Sequence, residues 1–381
     1  MKVLVVFGTR PEAIKLAPII KEFEKHPDEI QLKVCVTAQH RQMLDSVLKI
    51  FDIKPDYDLN IMRDKQTLFD ITNNVLIKIK EIYLMEKPDI VFVQGDTTTT
   101  FASALAAYYL QIKVAHIEAG LRTYNKYSPF PEEINRRMVS AIADLHFAPT
   151  EQSKLNLLKE NVNEKDIFVT GNTVIDALFM ILEKIKGEHI SIEGIESSEL
   201  ENKRLILVTG HRRESFGEGF ENICNALKEL AESFNDIIII YPVHLNPNVR
   251  GPVNRILGNV RNVKLIEPIG YLSFVYLMEK AYIIITDSGG IQEEAPSLSK
   301  PVLVMREITE RPEAVKAGTV KIVGTQKESI INSTRQLLLD ADEYKKMSST
   351  KNPYGDGKSA QRTYEILIEY FYRDRQDLQG K

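Results

Sequence analysis

Short, almost unbroken apolar runs recur along the whole chain, with longer stretches of helical spacing between them. The first half holds six such runs: VLVVF (3–7), KVCVT (33–37), IVFVQ (90–94), KVAHI (113–117), LHFA (145–148) and IFVT (167–170). The second half holds six more: LILVT (205–209), IIII (237–240), VKLI (263–266), YIIIT (282–286), VLVM (302–305) and VKIV (320–323). A strand with one wet face alternates apolar and polar residues; a strand apolar throughout is parallel and covered on both faces. Segments such as EAIKLAPIIKEFEK (12–25) supply the covering helices. Strands alternating with helices predict an α/β class with doubly wound sheets. Six strands per half predict two Rossmann-like domains facing each other across a cleft. The polar stretch 186–204 interrupts the pattern and is expected to be surface decoration or a mobile insertion.

Length and composition narrow the class. A chain of 381 residues is too long for one ordinary core and fits two domains. With 43% hydrophobic and 27% charged residues it belongs with soluble globular proteins. The formal net charge of −4 leaves no overall basic field to hold nucleic acid. No apolar run approaches the roughly 20 residues that cross a bilayer, so no membrane partner is expected. The start, MKVLVVFG, enters a strand pattern without a signal-peptide cleavage region. Cys35 and Cys224 both lie in apolar patterns, which predicts buried reduced thiols rather than a disulfide or a metal site. The expected compartment is the cytoplasm.

The conspicuous polar residues follow the strands: GTRPEAIK (8–15), TAQHRQM (37–43), GDTTTT (95–100), EAGLRT (118–123), GHRRES (210–215), VHLNPN (243–248), DSGGIQEE (287–294) and ERPEA (310–314). Ligands of open α/β sheets bind beyond the carboxyl ends of the strands. These loops are therefore expected to share one site, which points to an enzyme.

In DSGGIQEE, Ser288, Gly289 and Gly290 bare the backbone N–H groups at a helix start, whose positive end suits a diphosphate. Glu294, about one turn further, can accept hydrogen bonds from a ribose diol. The plainer account is a serine cap followed by acidic first-turn residues, and both stand on these residues alone. His211 and its two arginine neighbours can neutralise phosphate charge, or form a solvated basic loop. Arg311 in ERPEA, and Arg10 and Lys15 in GTRPEAIK, add cations at strand ends. No G-x-x-x-x-G-K-[ST] loop and no G-x-G-x-x-G after a strand are present, which removes the best support for a P-loop NTPase or a dinucleotide enzyme.

Three acids sit where proton-transfer groups are useful: Asp96, Glu118 and Glu132. Arg136 lies four residues after Glu132, on the same helical face, where a simple surface ion pair is the alternative. Asp96 can equally be the cap of the helix that begins in TTTT.

The stretches VFGTRPEAIKLAP, VCVTAQHR, GDTTTTFASALAA, HIEAGLRT, YSPFPEEINRR, FVTGNTVIDAL, VTGHRRESFG, YPVHLNPNVR, TDSGGIQEEAPSL, KPVLVMR, TERPEA and NPYGDG run in order along nearly the whole chain. In them the sequence resembles the non-hydrolysing UDP-N-acetylglucosamine 2-epimerases. The resemblance implies a glycosyltransferase-B-like fold: residues 1–171 carrying acid/base groups, 172–360 binding UDP, and a final helix, 361–381, crossing back to the first domain. It implies interconversion of UDP-GlcNAc and UDP-ManNAc with no cofactor and no required metal, a homodimer, and a supply of precursor for surface polysaccharide. Carried over by position, nucleotide contacts fall on Arg10, Lys15, His211, Ser288, Gly289, Gly290, Glu294 and Arg311, with Phe274 near the uracil. Catalytic polar groups fall on Asp96, Glu118, Glu132, Arg136 and His211, and Asp96 and Glu118 also count among the substrate contacts. Family members often carry Gln and Glu where this chain has Ile269 and Gly270, so no side-chain contact to the base is implied there. A second, activating substrate molecule bound by some bacterial members would meet Gln39, His40 and Gln42. The rival readings are a hydrolysing epimerase, a glycosyltransferase of the same fold, and a silent nucleotide-sugar sensor.

Overall fold

The structure is a computed structural model that describes residues 1–38, 41–63, 66–188 and 190–379. The chain divides into two compact units. The first comprises Met1–Met180 together with the chain from Tyr354 onward, and the second is Ile181–Pro353. The sequence-based boundaries were 171/172 and 360/361; helix Thr173–Ile185 runs through the observed junction.

The first unit holds a wholly parallel seven-stranded sheet: β1 Lys2–Phe7, β2 Gln31–Val36, β3 Tyr57–Asp58, β4 Ile90–Gln94, β5 Lys113–Ile117, β6 Leu145–Ala148 and β7 Ile167–Val169. Their spatial order is β3-β2-β1-β4-β5-β6-β7. The two-residue β3 corrects the expected count of six. It pairs Cys35 with Tyr57 and Val36 with Asp58, and a strand so short and half polar leaves no apolar run to read. The second unit holds the six expected strands: β8 Arg204–Thr209, β9 Ile237–Pro242, β10 Val263–Ile266, β11 Ala281–Thr286, β12 Val302–Val304 and β13 Val320–Ile322. They lie in the order β10-β9-β8-β11-β12-β13, again all parallel.

Helices cover both faces of each sheet, so the strands are buried almost end to end. Leu4, Val6, Val91 and Val93 meet Val75, Ile79, Ala102 and Val139 in the first unit. Ile206, Val208, Ile239 and Ile283 meet Phe220, Leu227, Val253 and Leu337 in the second. Cutting one such leucine or isoleucine to alanine costs about 2–5 kcal/mol. The stretch 186–204 is partly ordered: it contains helix Ser197–Asn202, buries Ile192 and leads into β8. The last helix, Ser359–Gln379, packs on helix Arg10–Phe23 within the first unit. His26 stacks on Tyr364 with centroids 3.8 Å apart, and the Asp176 carboxylate accepts the Ala360 N–H at 2.8 Å. Among the described residues no helix is long and apolar enough to cross a membrane.

Each sheet reverses its winding direction once, between β1 and β4 and between β8 and β11. Chains leaving neighbouring strands there diverge to opposite faces and open a crevice at the strands' carboxyl ends. Four of the eight predicted polar loops leave the sheets at these two places, after β1, β4, β8 and β11, and the other four follow the next strands out, β2, β5, β9 and β12.

Candidate active site

In the first unit, β4 ends at Gln94 and the chain turns through Gly95, whose φ of +74° suits a residue without Cβ. Asp96 follows. It is not the helix cap; that position belongs to Thr97, whose hydroxyl accepts the Thr100 N–H. The Asp96 carboxylate instead takes Arg136 Nε at 2.9 Å and Nη2 at 2.7 Å. Arg136 also reaches Glu133 at 3.3 Å. The Glu132–Arg136 ion pair that stood as the plainer alternative is absent among the described residues, and Arg136 pairs with Asp96 and Glu133 instead. The reason is that Glu132 opens helix Glu132–Ile142, while Glu133 is buried and accepts the N–H groups of Thr123 and Tyr124 at 2.9 and 3.0 Å. Glu132 Oε2 is buried and, among the described residues, receives no hydrogen bond.

Glu118 directly follows β5 with φ +64°, a sterically costly value for a residue with a side chain. Its carboxylate accepts Lys15 Nζ, Gln94 Nε2 and, at 3.1 Å, Asn172 Nδ2. Lys15, predicted as a nucleotide contact, therefore stands on the acid side in this structure. Arg10 begins helix Arg10–Phe23 just after the Gly8–Thr9 turn. A Cβ on Gly8 would come within 2.1 Å of Thr37 Oγ1, so only glycine permits that approach. Glu12 ties two loops together. It accepts Gly8 N–H, Thr9 N–H, the Thr9 hydroxyl, and the hydroxyls of Thr97 and Thr100, all at 2.7–3.0 Å. Burial pushes its acidity down (pKa up), and the Thr97 and Thr9 hydrogen bonds oppose this. Gln39 and His40 lie outside the described residues; Gln42 falls in helix Arg41–Ile50.

In the second unit, β8 leads to Gly210, His211 and Arg212, while β11 leads to Asp287 and Ser288. Asp287 is 2% exposed, and its Oδ2 accepts the N–H groups of His211 at 2.6 Å and Arg212 at 2.8 Å. Ser288 occupies the cap position of helix Gly289–Glu294 without a side-chain cap bond. Nor are acids present in that helix's first turn, so the plainer account of this motif fails on both points. Glu293 and Glu294 come at the helix end and are buried. Glu293 takes the Arg311 guanidinium, and Glu294 accepts the Tyr271 hydroxyl at 2.5 Å. A Cβ on Gly289 would sit 3.8 Å from Arg311 Nη2, so that guanidinium lies beside the glycine backbone. Phe274 is half-buried in helix Tyr271–Lys280, which Gly270 caps. Ile269 lines a hollow of about 370 Å³ with Val243, Arg250, Leu265 and Pro268. Another hollow, about 590 Å³, is lined by Arg137, His146, Lys159 and Glu160 and includes none of the predicted site residues.

The profile of the UDP-N-acetylglucosamine 2-epimerase family matches residues 21–368. The chain belongs to the UDP-N-acetylglucosamine 2-epimerase family. It is 58% identical to the UDP-N-acetylglucosamine 2-epimerase of Campylobacter jejuni over 374 residues, 97% of each chain. A UDP-GlcNAc 2-epimerase from Neisseria meningitidis, solved bound to UDP-GlcNAc, shares 55% identity at a TM-score of 0.87. That match covers 97% of this chain and all of the other. A glycosyltransferase from Rickettsia africae, at 17% identity, TM-score 0.62 and 97% and 98% coverage, shares the fold alone, in keeping with a glycosyltransferase-B-like architecture. Of the carried-over positions, Arg10 and Lys15 precede the matched profile, and the others lie inside it. For a UDP-N-acetylglucosamine 2-epimerase, four side chains of this site were not legible in advance: Gln94, Asn172, Glu133 and Asp287. Gln94 closes the apolar run IVFVQ and the other three lie inside quoted motifs, but the partner of each is fixed only by the fold.

Proposed function

We propose that this family member interconverts UDP-GlcNAc and UDP-ManNAc by eliminating UDP and adding it back. The C2 proton of the sugar is not next to a carbonyl and is too weakly acidic for simple abstraction. Breaking the C1–O bond to UDP while a base takes the C2 proton gives 2-acetamidoglucal. A proton returned to the opposite face of C2, with UDP re-forming the bond at C1, gives the epimer.

Two faces of C2 require at least two placed acid/base groups. The observation that carries this reading is the set of carboxylates at the β4 and β5 ends. Asp96 is paired with Arg136, Glu118 is held by three donors, and Glu132 has an oxygen to which no described residue donates. Arg136 anchors Asp96 and offsets charge beside it. On the second unit, Ser288, Gly289 and Gly290, with Arg311 alongside, suit the diphosphate, His211 suits the charge that grows on departing UDP, and Glu294 suits the ribose. Phe274 is assigned to the uracil, and Arg10 and Lys15 remain substrate contacts. The Neisseria relative's bound UDP-GlcNAc supports this substrate.

Incubation with UDP-GlcNAc alone in deuterated water, followed by NMR, tests the reading. The expected product is UDP-ManNAc carrying deuterium at C2. Free N-acetylmannosamine with UDP would mark a hydrolysing enzyme, and transfer only on addition of an acceptor would mark a glycosyltransferase. A nucleotide-sugar substrate fits the cytoplasm and a place before polysaccharide assembly. The homodimer, and activation through Gln39, His40 and Gln42, belong to the same proposal. Light scattering checks the first, and a sigmoidal rate curve lost in Gln42→Ala checks the second.

A further inference from the structure

We propose that Asp287 is a positioning residue that fixes the tautomer of His211, with the imidazole proton on Nδ1. The consequence for turnover rests on the epimerase reading above; the tautomer itself is a property of the free protein.

β8 and β11 are neighbours in the sheet, so the residues just beyond their ends are held close. Asp287 is fully within the protein, and its Oδ2 is committed to the N–H groups of His211 and Arg212. That leaves Oδ1 fixed in place. It is buried and, among the described residues, has no hydrogen-bond partner. His211 Nδ1 stands 3.6 Å from it. A buried carboxylate oxygen without a donor is costly, because it has lost its water without gaining a hydrogen bond. A small rotation of the ring supplies the missing donor, provided that Nδ1 carries the proton.

The groups around the ring favour this arrangement. His244, on the loop after β9, stacks on His211 at 5.2 Å between centroids and 16° between planes. Burial first, and the neighbouring His211 second, push the His244 pKa down, and the Asp287 charge opposes this. Arg212 and Arg213 belong to the same loop as His211, and Arg212 acts electrostatically on Glu310. Asp287 is therefore the carboxylate that meets the ring. With the proton held on Nδ1, Nε2 is the nitrogen left for the substrate. When it takes a proton, the Asp287 charge stabilises the imidazolium beside the leaving diphosphate.

Long-range proton–nitrogen NMR of ¹⁵N-histidine-labelled, ligand-free protein tests the proposal, with His211 assigned from the spectrum of His211→Gln. The wild type is expected to show the His211 tautomer with its proton on Nδ1. Asp287→Asn keeps a carbonyl oxygen for the two backbone N–H groups and turns an NH2 donor toward Nδ1, which forces the proton to Nε2. Its kcat is expected to fall roughly 10²-fold or more with KM nearly constant. A wild-type spectrum with the proton on Nε2 overturns the proposal, and needs no variant to fold. So does an Asp287→Asn enzyme with wild-type turnover. A wild type with the Nδ1 proton but no epimerase activity supports the positioning role and defeats the functional reading alone.

Discussion

The carboxylates of Glu118 and Glu132 are held in opposite ways. Glu118 is gripped by Lys15, Gln94 and Asn172, whereas Glu132 keeps one buried oxygen without a donor. If these two and Asp96 handle the C2 proton, they act in the chemical step and scarcely in binding UDP. Asp96→Asn, Glu118→Gln and Glu132→Gln are each expected to lower turnover roughly 10²–10⁴-fold. UDP affinity by calorimetry should stay nearly constant, and full activity in all three variants would remove them from the mechanism. Glu294→Ala, by contrast, should weaken UDP binding by about 1–3 kcal/mol, the usual cost of stranding a charged hydrogen-bond partner. Because Glu294 also holds the Tyr271 hydroxyl, Tyr271→Phe serves as control. Equal loss of affinity in both variants would assign the effect to the lost Tyr271 contact rather than to the ribose. At this scale the sequence revealed the acids but not their partners. Lys15 and Glu118 are 103 residues apart, and Glu118 and Asn172 are 54 apart. Nothing local marks such a pair; only the strand order brings it together. The same limit hid the partner of Arg136, since i,i+4 spacing offered Glu132 while the loop carrying Asp96 comes from another strand.

Elements were more legible than contacts, because burial on both faces writes itself into the strands as unbroken apolar runs. Twelve runs marked twelve of the strands, and β3 escaped because two residues cannot form a run. The sites follow from the order of these strands. β1 and β4 part at the first crevice, and Glu12 laces their loops together through Thr9, Thr97 and Thr100. Thr97 serves twice: its hydroxyl caps helix Thr98–Tyr109 and donates to Glu12 Oε1 at 2.7 Å. Thr97→Ala loses the cap and leaves buried Glu12 short of one donor, a cost of about 1–3 kcal/mol. Thermal unfolding should show a lower midpoint, and turnover should fall because Asp96 is the adjacent residue. Thr97→Ser restores the hydroxyl and should recover both. If serine rescued neither, the hydroxyl would not be the cause.

Over the whole molecule, the family match runs nearly end to end, so both units belong to one design. The stability of that design carries an acid-sensitive component in its first unit. His116 and His146 are register partners on β5 and β6, both nearly inaccessible, and each has an Nδ1 without a partner among the described residues. Burial pushes their pKa values down to about 3 and about 4. In His116 the hydrogen bond to the Gly95 carbonyl opposes that shift, and in His146 the bond to the Ala143 carbonyl does. In the unfolded chain both titrate near 6.5. Between those limits the unfolded state binds more protons than the folded one, so stability falls as pH falls. The contribution is whole above about pH 6.5 and is lost progressively toward about pH 3–4. Near pH 5 each histidine removes up to about 1.4 kcal/mol per pH unit. The melting temperature of the wild type should therefore drop steeply from pH 6.5 to 4.5. In a His116→Gln, His146→Gln double variant the starting value is lower, since Gln cannot refill both sites, but the acid slope should be clearly shallower. Parallel slopes in the two proteins would show that the acid sensitivity arises elsewhere. Gly95, whose carbonyl is held by His116, immediately precedes Asp96. Because that ring stays neutral in the folded protein until about pH 3, loss of turnover between pH 6.5 and 4.5 should track unfolding, and the activity of the double variant should decline less steeply than that of the wild type over that interval.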